Sequence, residues 1–192
     1  MNDTTLEGKL AGIVAATPWL MRALVAARAL GLPQWCVGAG AVRNAAWDAL
    51  YGLGRPSALS DVDVAFFDPS DLSTARDRAL EERLQRDAPE FSWDVNNQAG
   101  VHLWTKDAFG HPVEPLVSVE DAIASWPETA TAVAARLRDD DTIQIIAPLG
   151  LIDLFDGVIR RNAPRVGVET YRRRVAQKRY AERWPKIRII AE

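Results

Sequence analysis

Residues 38–63 limit what this chain can fold into more than any other stretch. They read Gly38-Ala39-Gly40-Ala41-Val42-Arg43-Asn44, then a helical segment, then Ser60-Asp61-Val62-Asp63-Val64. Small residues at the turn let backbone approach a ligand closely, and the helix that follows presents its N-terminal N–H groups to an anion. Asp61 and Asp63 stand two apart in an apolar strand pattern, and side chains at i and i+2 of a strand share one face. Paired carboxylates beside a phosphate cradle suit metal-assisted phosphoryl chemistry. Alone, two aspartates at a strand start serve equally well to solvate an edge; the glycine turn gives the metal reading its weight.

The elements around this stretch follow from periodicity and breakers. Residues 5–15 and 18–30 read as helices, the second with Thr17 as N-cap, Pro18 in its first turn and Gly31 past its end. Both are expected to cover one face of a sheet. Residues 34–37 form a short strand before the turn. In the next helix Val42, Ala45, Ala46, Ala49 and Leu50 make a small-residue face, with Arg43, Asn44 and Trp47 on the other side. Gly52, Gly54 and Pro56 predict a mobile loop over residues 52–59, before the carboxylate strand at 62–67. Ser70 is expected to cap a third helix, followed by strands at 91–95 and 101–104. Ser118 and Asp121 open a short helix that ends near Trp126 and Pro127. Residues 131–137 and 142–146 read as a hairpin across Asp139, Asp140 and Asp141, a solvated turn. Helices at 148–160 and 168–184 close the chain.

Cys36 is the only cysteine, so neither an intrachain disulfide nor a cysteine metal cage can form. No apolar run reaches the length of a bilayer span, and the N-terminus lacks the order of a secretory signal. A cytoplasmic protein with no membrane contact is the expectation. The net charge of −3 hides an asymmetry, because residues 160–188 hold eleven Lys/Arg against two acids. Such a basic segment either docks on an acidic domain or meets an anionic partner such as RNA.

A strand leading into Gly-x-Gly also opens dinucleotide-binding folds, but that fingerprint needs a third glycine where Arg43 stands. The ribose-binding acid would fall at the end of the next strand, whereas Asp61 and Asp63 lie at the start of theirs. Gly40-Ala41-Val42-Arg43-Asn44 followed by Asp61-Val62-Asp63 instead resembles the nucleotidyltransferases of the DNA polymerase β superfamily. Those proteins carry a Gly-Gly or Gly-Ser turn and then Asp-x-Asp or Asp-x-Glu on the next strand. The tRNA CCA-adding branch reads Gly-Gly-x-Val-Arg-Asp at the turn, aligned here with Ala39 to Asn44. The chain is also similar to a small bacterial nucleotidyltransferase-like family at Val95-x-Asn97-Gln98-Ala99-x-x-His102 and at Trp126-Pro127-Glu128-Thr129-Ala130-Thr131.

The resemblance covers most of residues 34–160 and implies an α/β (α+β) fold of the polymerase β type: a mixed sheet flanked by helices, with C-terminal helices. Residues 1–160 would form the nucleotidyltransferase-like domain and residues 161–192 a basic helical extension packed on it. It implies Mg²⁺, or Mn²⁺, held by Asp61, Asp63 and a third acid, for which Asp94 on a neighbouring apolar strand is the candidate. Backbone around Gly38, Ala39, Gly40 and Ala41 would cradle the triphosphate, with Arg43, Asn44 and Ser60 adding contacts. The activity implied is transfer of an NMP from an NTP to a hydroxyl of RNA, protein or a small molecule, with pyrophosphate release. Trp47 is the one tryptophan placed to stack a base, while His102 and His111 lack companions at metal spacing.

This sequence departs from the family pattern in several places. Ala39 replaces the first glycine of the usual pair, Asn44 replaces the acid of the CCA-adding turn, and the interval to Asp61 is longer. Asn96 and Gly100 stand where cations are expected. The departures at Ala39, Asn96 and Gly100 sustain one alternative, a catalytically inactive nucleotide- or RNA-binding module of the same fold, and the basic tail sustains another, a protein-interaction or antitoxin-like role.

Overall fold

The centre of the sheet is its shortest main strand. In the computed structural model, which describes residues 3–103 and 114–192, β1 (Cys36–Gly38) is three residues long and fully buried. It pairs antiparallel on one side with β2 (Val62–Phe66) and on the other with β4 (Ala134–Leu137). β3 (Trp93–Asn97) runs parallel to β2, and β5 (Ile143–Ile146) antiparallel to β4, which gives the mixed order β3-β2-β1-β4-β5.

The two faces of this sheet are covered unequally. Val37, Val62, Val64, Phe66, Trp93, Val95, Ala135 and Leu137 point to the large core. That core is filled by α1 (Asp3–Ala15), α2 (Pro18–Arg28), α3 (Gly40–Leu50) and α4 (Thr74–Asp87). Cys36, Ala65 and Ala134 point the other way, to a small cluster completed by α5 (Val119–Ala124) and Trp126. Period-two alternation sends Asp63 and Asp94 to this thinly covered side, because Val62, Val64, Trp93 and Val95 occupy the other.

The C-terminal segment shares the large core. α6 (Ile152–Phe155) is followed by β6 (Val158–Ile159), which pairs parallel with β7 (Arg188–Ile189). Between them lie α7 (Val168–Lys178) and α8 (Tyr180–Arg183), separated by Arg179 in a left-handed conformation. Tyr171, Tyr180, Trp184 and Ile187 are buried with the helices of the N-terminal half. Among the described residues no single helix is long and apolar enough to cross a membrane. The bent pair α1–α2 lends Leu6, Leu10, Val14, Leu20 and Leu24 to the core.

Several local expectations give way. Residues 148–160 hold only the four-residue α6, because Gly157 at φ +63 stops the helix and the next residues join a strand. Residues 168–184 break at Arg179. Residues 101–103 are helical rather than a strand, after a 3₁₀ turn at Gln98–Gly100; Trp104 and His111 lie outside the described residues. Ser70 bonds to Asp68 instead of capping, and α4 starts after Ser73. Thr17 occupies its N-cap place but donates its hydroxyl back to the Ile13 carbonyl at 2.8 Å.

Candidate functional site

The carboxylates are brought together by strand register. Asp63 and Asp94 are direct partners across the parallel β2–β3 pair. Asp61 is two residues before Asp63 and exposes its carboxylate at the mouth of the strand, where Oδ1 accepts the Ser60 hydroxyl at 2.8 Å. Burial raises the pKa of Asp63 to about 6, and the charges of Asp61 and Asp94 add to the rise. An acid whose proton affinity is raised by burial and by two neighbouring carboxylates is under-neutralised, which is the electrostatic condition of a cation site. Asp94 is tied on its own strand by the Asn96 amide, which donates to Oδ1 at 2.6 Å.

The turn is built differently from its sequence expectation. Gly38 is a strand residue paired with Ala134, and a side chain there would collide with the Trp126 indole. Its smallness serves packing. Ala39 has φ +47 and ψ −114, a region that L-residues rarely adopt, and its N–H donates to the Val133 carbonyl at 3.0 Å. The helix that could present N–H groups to an anion therefore begins at Gly40. An α-helix leaves its first N–H groups without internal acceptors, and Ala39 at the capping position has no side chain that accepts them.

Arg43 and Asn44 are buried. The Asn44 side-chain oxygen accepts from Arg43 Nη2 at 2.7 Å and Nε at 3.2 Å, while its amide donates to the Ala58 carbonyl at 3.3 Å. The Arg43 guanidinium lies 5.1 Å from the Tyr180 ring centre, 5.7 Å from Trp47 and 5.8 Å from Trp184. Burial lowers its pKa from the ordinary guanidinium value. Trp47 is not a stacking platform: it is fully buried, donates its indole N–H to the Leu154 carbonyl at 2.8 Å, and packs edge-on against Tyr180 and Trp184. The loop at 52–59 is tied down as well. Asp48 accepts from the Ser57 N–H at 2.7 Å and from its hydroxyl, and Arg183 donates to the Ala58 carbonyl.

These parts enclose a cleft of about 170 Å³ whose wall includes Ala39, Gly40, Arg43, Asn44, Ser60, Asp61 and Asp63. Its other wall comes from residues that local reading did not assign to the site: Thr131, Arg174, Lys178 and Arg183. Arg174 is held by Glu128, a carboxylate with no exposed surface, through Nε to Oε1 at 2.9 Å. Glu128 also accepts the Thr131 hydroxyl at 2.9 Å. The surplus of positive charge between residues 160 and 188 was the visible signal, and Arg174 and Lys178 have the i, i+4 spacing of one helix face. Neither Gly38 nor Asp94 belongs to the wall of this cleft.

The donor set fits a hard divalent cation: Mg²⁺ takes one or two carboxylates and completes its shell with water and phosphate oxygens. Among the described residues no group of three or more His, Cys, Asp or Glu side chains converges tightly enough to enclose a metal by itself.

A mixed sheet with paired acids at a strand mouth beside a cationic phosphate-sized cleft defines the class of nucleotidyl-transferring proteins. A family model described as nucleotidyltransferase matches residues 25–189, and the chain belongs to this family of NTP-using transferases, whose members generally use divalent metals. No curated protein matches the chain. A solved NMR structure described as a CCA-adding enzyme head domain is 28% identical, with a TM-score of 0.80 and 96% of each chain covered. Two larger proteins share the fold: a tRNA-processing enzyme in an apo form at 19% identity and TM-score 0.52, and a Thermotoga maritima CCA-adding enzyme complexed with tRNA at 16% and 0.55. This chain covers 87% and 96% of itself in those matches but spans only 44% and 42% of the two proteins.

Proposed function

We propose that the protein is a metal-dependent nucleotidyltransferase that moves an NMP from an NTP to a hydroxyl acceptor and releases pyrophosphate. The observation that carries this reading is the register match of Asp63 with Asp94, beside Asp61 and a cleft walled by Arg43, Arg174, Lys178 and Arg183. Asp61 and Asp63 would hold Mg²⁺, with Asp94 as the third carboxylate. A bound divalent ion supplies charge neutralisation for the attacking and leaving oxygens.

The chain's own groups do the rest. The open N–H groups at the start of α3 and the cations Arg174 and Lys178 bind and orient the triphosphate. Ser60 fixes the Asp61 carboxylate. The acceptor oxygen bonds to the α-phosphorus, the bond from that phosphorus to the bridging oxygen breaks, and pyrophosphate departs with the electron pair. The hydroxyl proton passes to the carboxylate edge and on to water. Electrostatic positioning of this kind is the main protein contribution to phosphoryl transfer.

Titration of the protein with each NTP in the presence of Mg²⁺ tests this. Asp61→Asn and Asp63→Asn are each expected to weaken Mg²⁺-dependent NTP binding at least ~100-fold, and with it pyrophosphate release over RNA, protein and small hydroxyl acceptors. Full binding by both variants would sink the reading. A second reading, a non-catalytic nucleotide binder, draws on the Asn96 amide that occupies Asp94. Tight Mg²⁺-dependent NTP binding with no pyrophosphate release on any acceptor would favour it.

A further inference from the structure

A second cleft, of about 200 Å³, adjoins the first at Asp61. Leu59, Ser60 and Asp61 belong to both clefts, so whatever fills the second faces the same carboxylate as the triphosphate in the first. The two differ in chemistry. The first carries Arg43, Arg174, Lys178 and Arg183 in its wall. Among the described residues the second carries no lysine or arginine in its wall; its charged groups there are Asp61 and Glu90, and its aromatic groups are Trp19 and Phe91. Both rings are half-buried and braced against the core, and Phe91 packs edge-on against Trp93 with ring centres 5.2 Å apart. Glu90 is exposed and accepts from Arg22 Nε at 3.3 Å, a rim contact that water screens.

We infer that this second cleft seats the acceptor, and that the acceptor's reacting end is a phosphate-free hydroxyl compound, neutral or cationic, with a flat apolar group. This rests on the first cleft holding the NTP. A hydroxyl seated against Trp19 and Phe91 lies in the cleft that shares Asp61 with the triphosphate's cleft, so one carboxylate borders both reactants. Two carboxylates without a cation in the wall repel a phosphodiester chain and attract an ammonium group. Aromatic walls bind a ring through its face and edge.

The probe is L-phenylalaninol, which joins an ammonium, a phenyl ring and a primary hydroxyl, read by NMR titration of the full chain without nucleotide. Binding at millimolar concentration is expected, weakened about tenfold by Trp19→Ala or Phe91→Ala and held within about threefold by Trp19→Phe, which keeps a ring in the wall. Glu90→Gln is expected to weaken phenylalaninol about fivefold and to leave the uncharged 3-phenyl-1-propanol alone. Absence of phenylalaninol binding to the wild type, or binding indifferent to Trp19→Ala, Phe91→Ala and Glu90→Gln together, overturns the assignment. Pyrophosphate release driven by an RNA 3′-hydroxyl and slowed by Phe91→Ala would also overturn it, in favour of a polynucleotide acceptor. Because the probe is read without NTP, loss of NTP binding counts against the first cleft's reading and not against the second's.

Discussion

The acid edge and the basic rim face each other across one cleft and are built by opposite means. Asp61, Asp63 and Asp94 are placed by backbone: two by strand alternation and one by the register of a parallel neighbour. Arg174, Lys178 and Arg183 arrive more than 100 residues after the turn and are placed by side chains. Arg174 depends on Glu128, and the direction of Arg183 depends on the break at Arg179, where the chain adopts φ +50. Backbone placement gives a rigid site that keeps repelling charges close. Side-chain placement gives a rim whose members can fail one at a time.

The largest effect should come from the rim's anchor. Arg174→Ala leaves the Glu128 carboxylate buried without its partner and is expected to cost about 3–5 kcal/mol of stability, read by urea unfolding. A loss below ~1 kcal/mol would mean that the pair is not what orders the rim. On the acid edge the sign reverses. Asp63 keeps its proton up to about pH 6 in the folded chain but only to about pH 4 when unfolded. Stability is therefore full below about pH 4, declines as pH rises toward 6, and stays low above that. Asp63→Asn should remove this decline and raise stability at pH 7 by about 2 kcal/mol, after discounting for partial exposure, while it abolishes Mg²⁺-dependent NTP binding. A variant that is less stable at pH 7 would show that Asp63 is held by attractions rather than repulsions.

Two smaller tests sharpen the contrast. Lys178→Ala should weaken NTP affinity about tenfold, an effect that shrinks with added salt, and leave the unfolding midpoint nearly fixed. Ala39→Gly should stabilise by about 1 kcal/mol, the strain relieved at φ +47 less the entropy that glycine adds to the unfolded chain. An unchanged or lower midpoint would place the strain elsewhere.

The acid edge was legible because its signals are local. A glycine turn and an Asp-x-Asp alternation need only a few residues to state their geometry, and the mixed sheet flanked by helices was implied by the family resemblance that those residues carry. The rim was visible only as a surplus of charge, since nothing near Arg174 announces Glu128, 46 residues away. Trp47 was misplaced for the same reason. Helical periodicity gave α3 one apolar face, but Tyr180 and Trp184 return to cover the other. The loop at 52–59 looked unrestrained because its ties, Asp48 to Ser57 and Arg183 to Ala58, cross from other elements. Residues 158–159 read as helix because their strand partner is 30 residues further on.

The late arrival of Arg183 has a consequence for how the protein is made. A ribosome delivers Asp61, Asp63 and Asp94 well before it delivers α7 and α8. Until the last stretch emerges, the acids have Arg43 but none of the cations of α7 and α8 to oppose them, and Arg43 lacks the rings of Tyr180 and Trp184 that pack on it. A product cut short before residue 168 would carry the glycine turn and all three acids, and none of the cations that α7 and α8 bring to the cleft.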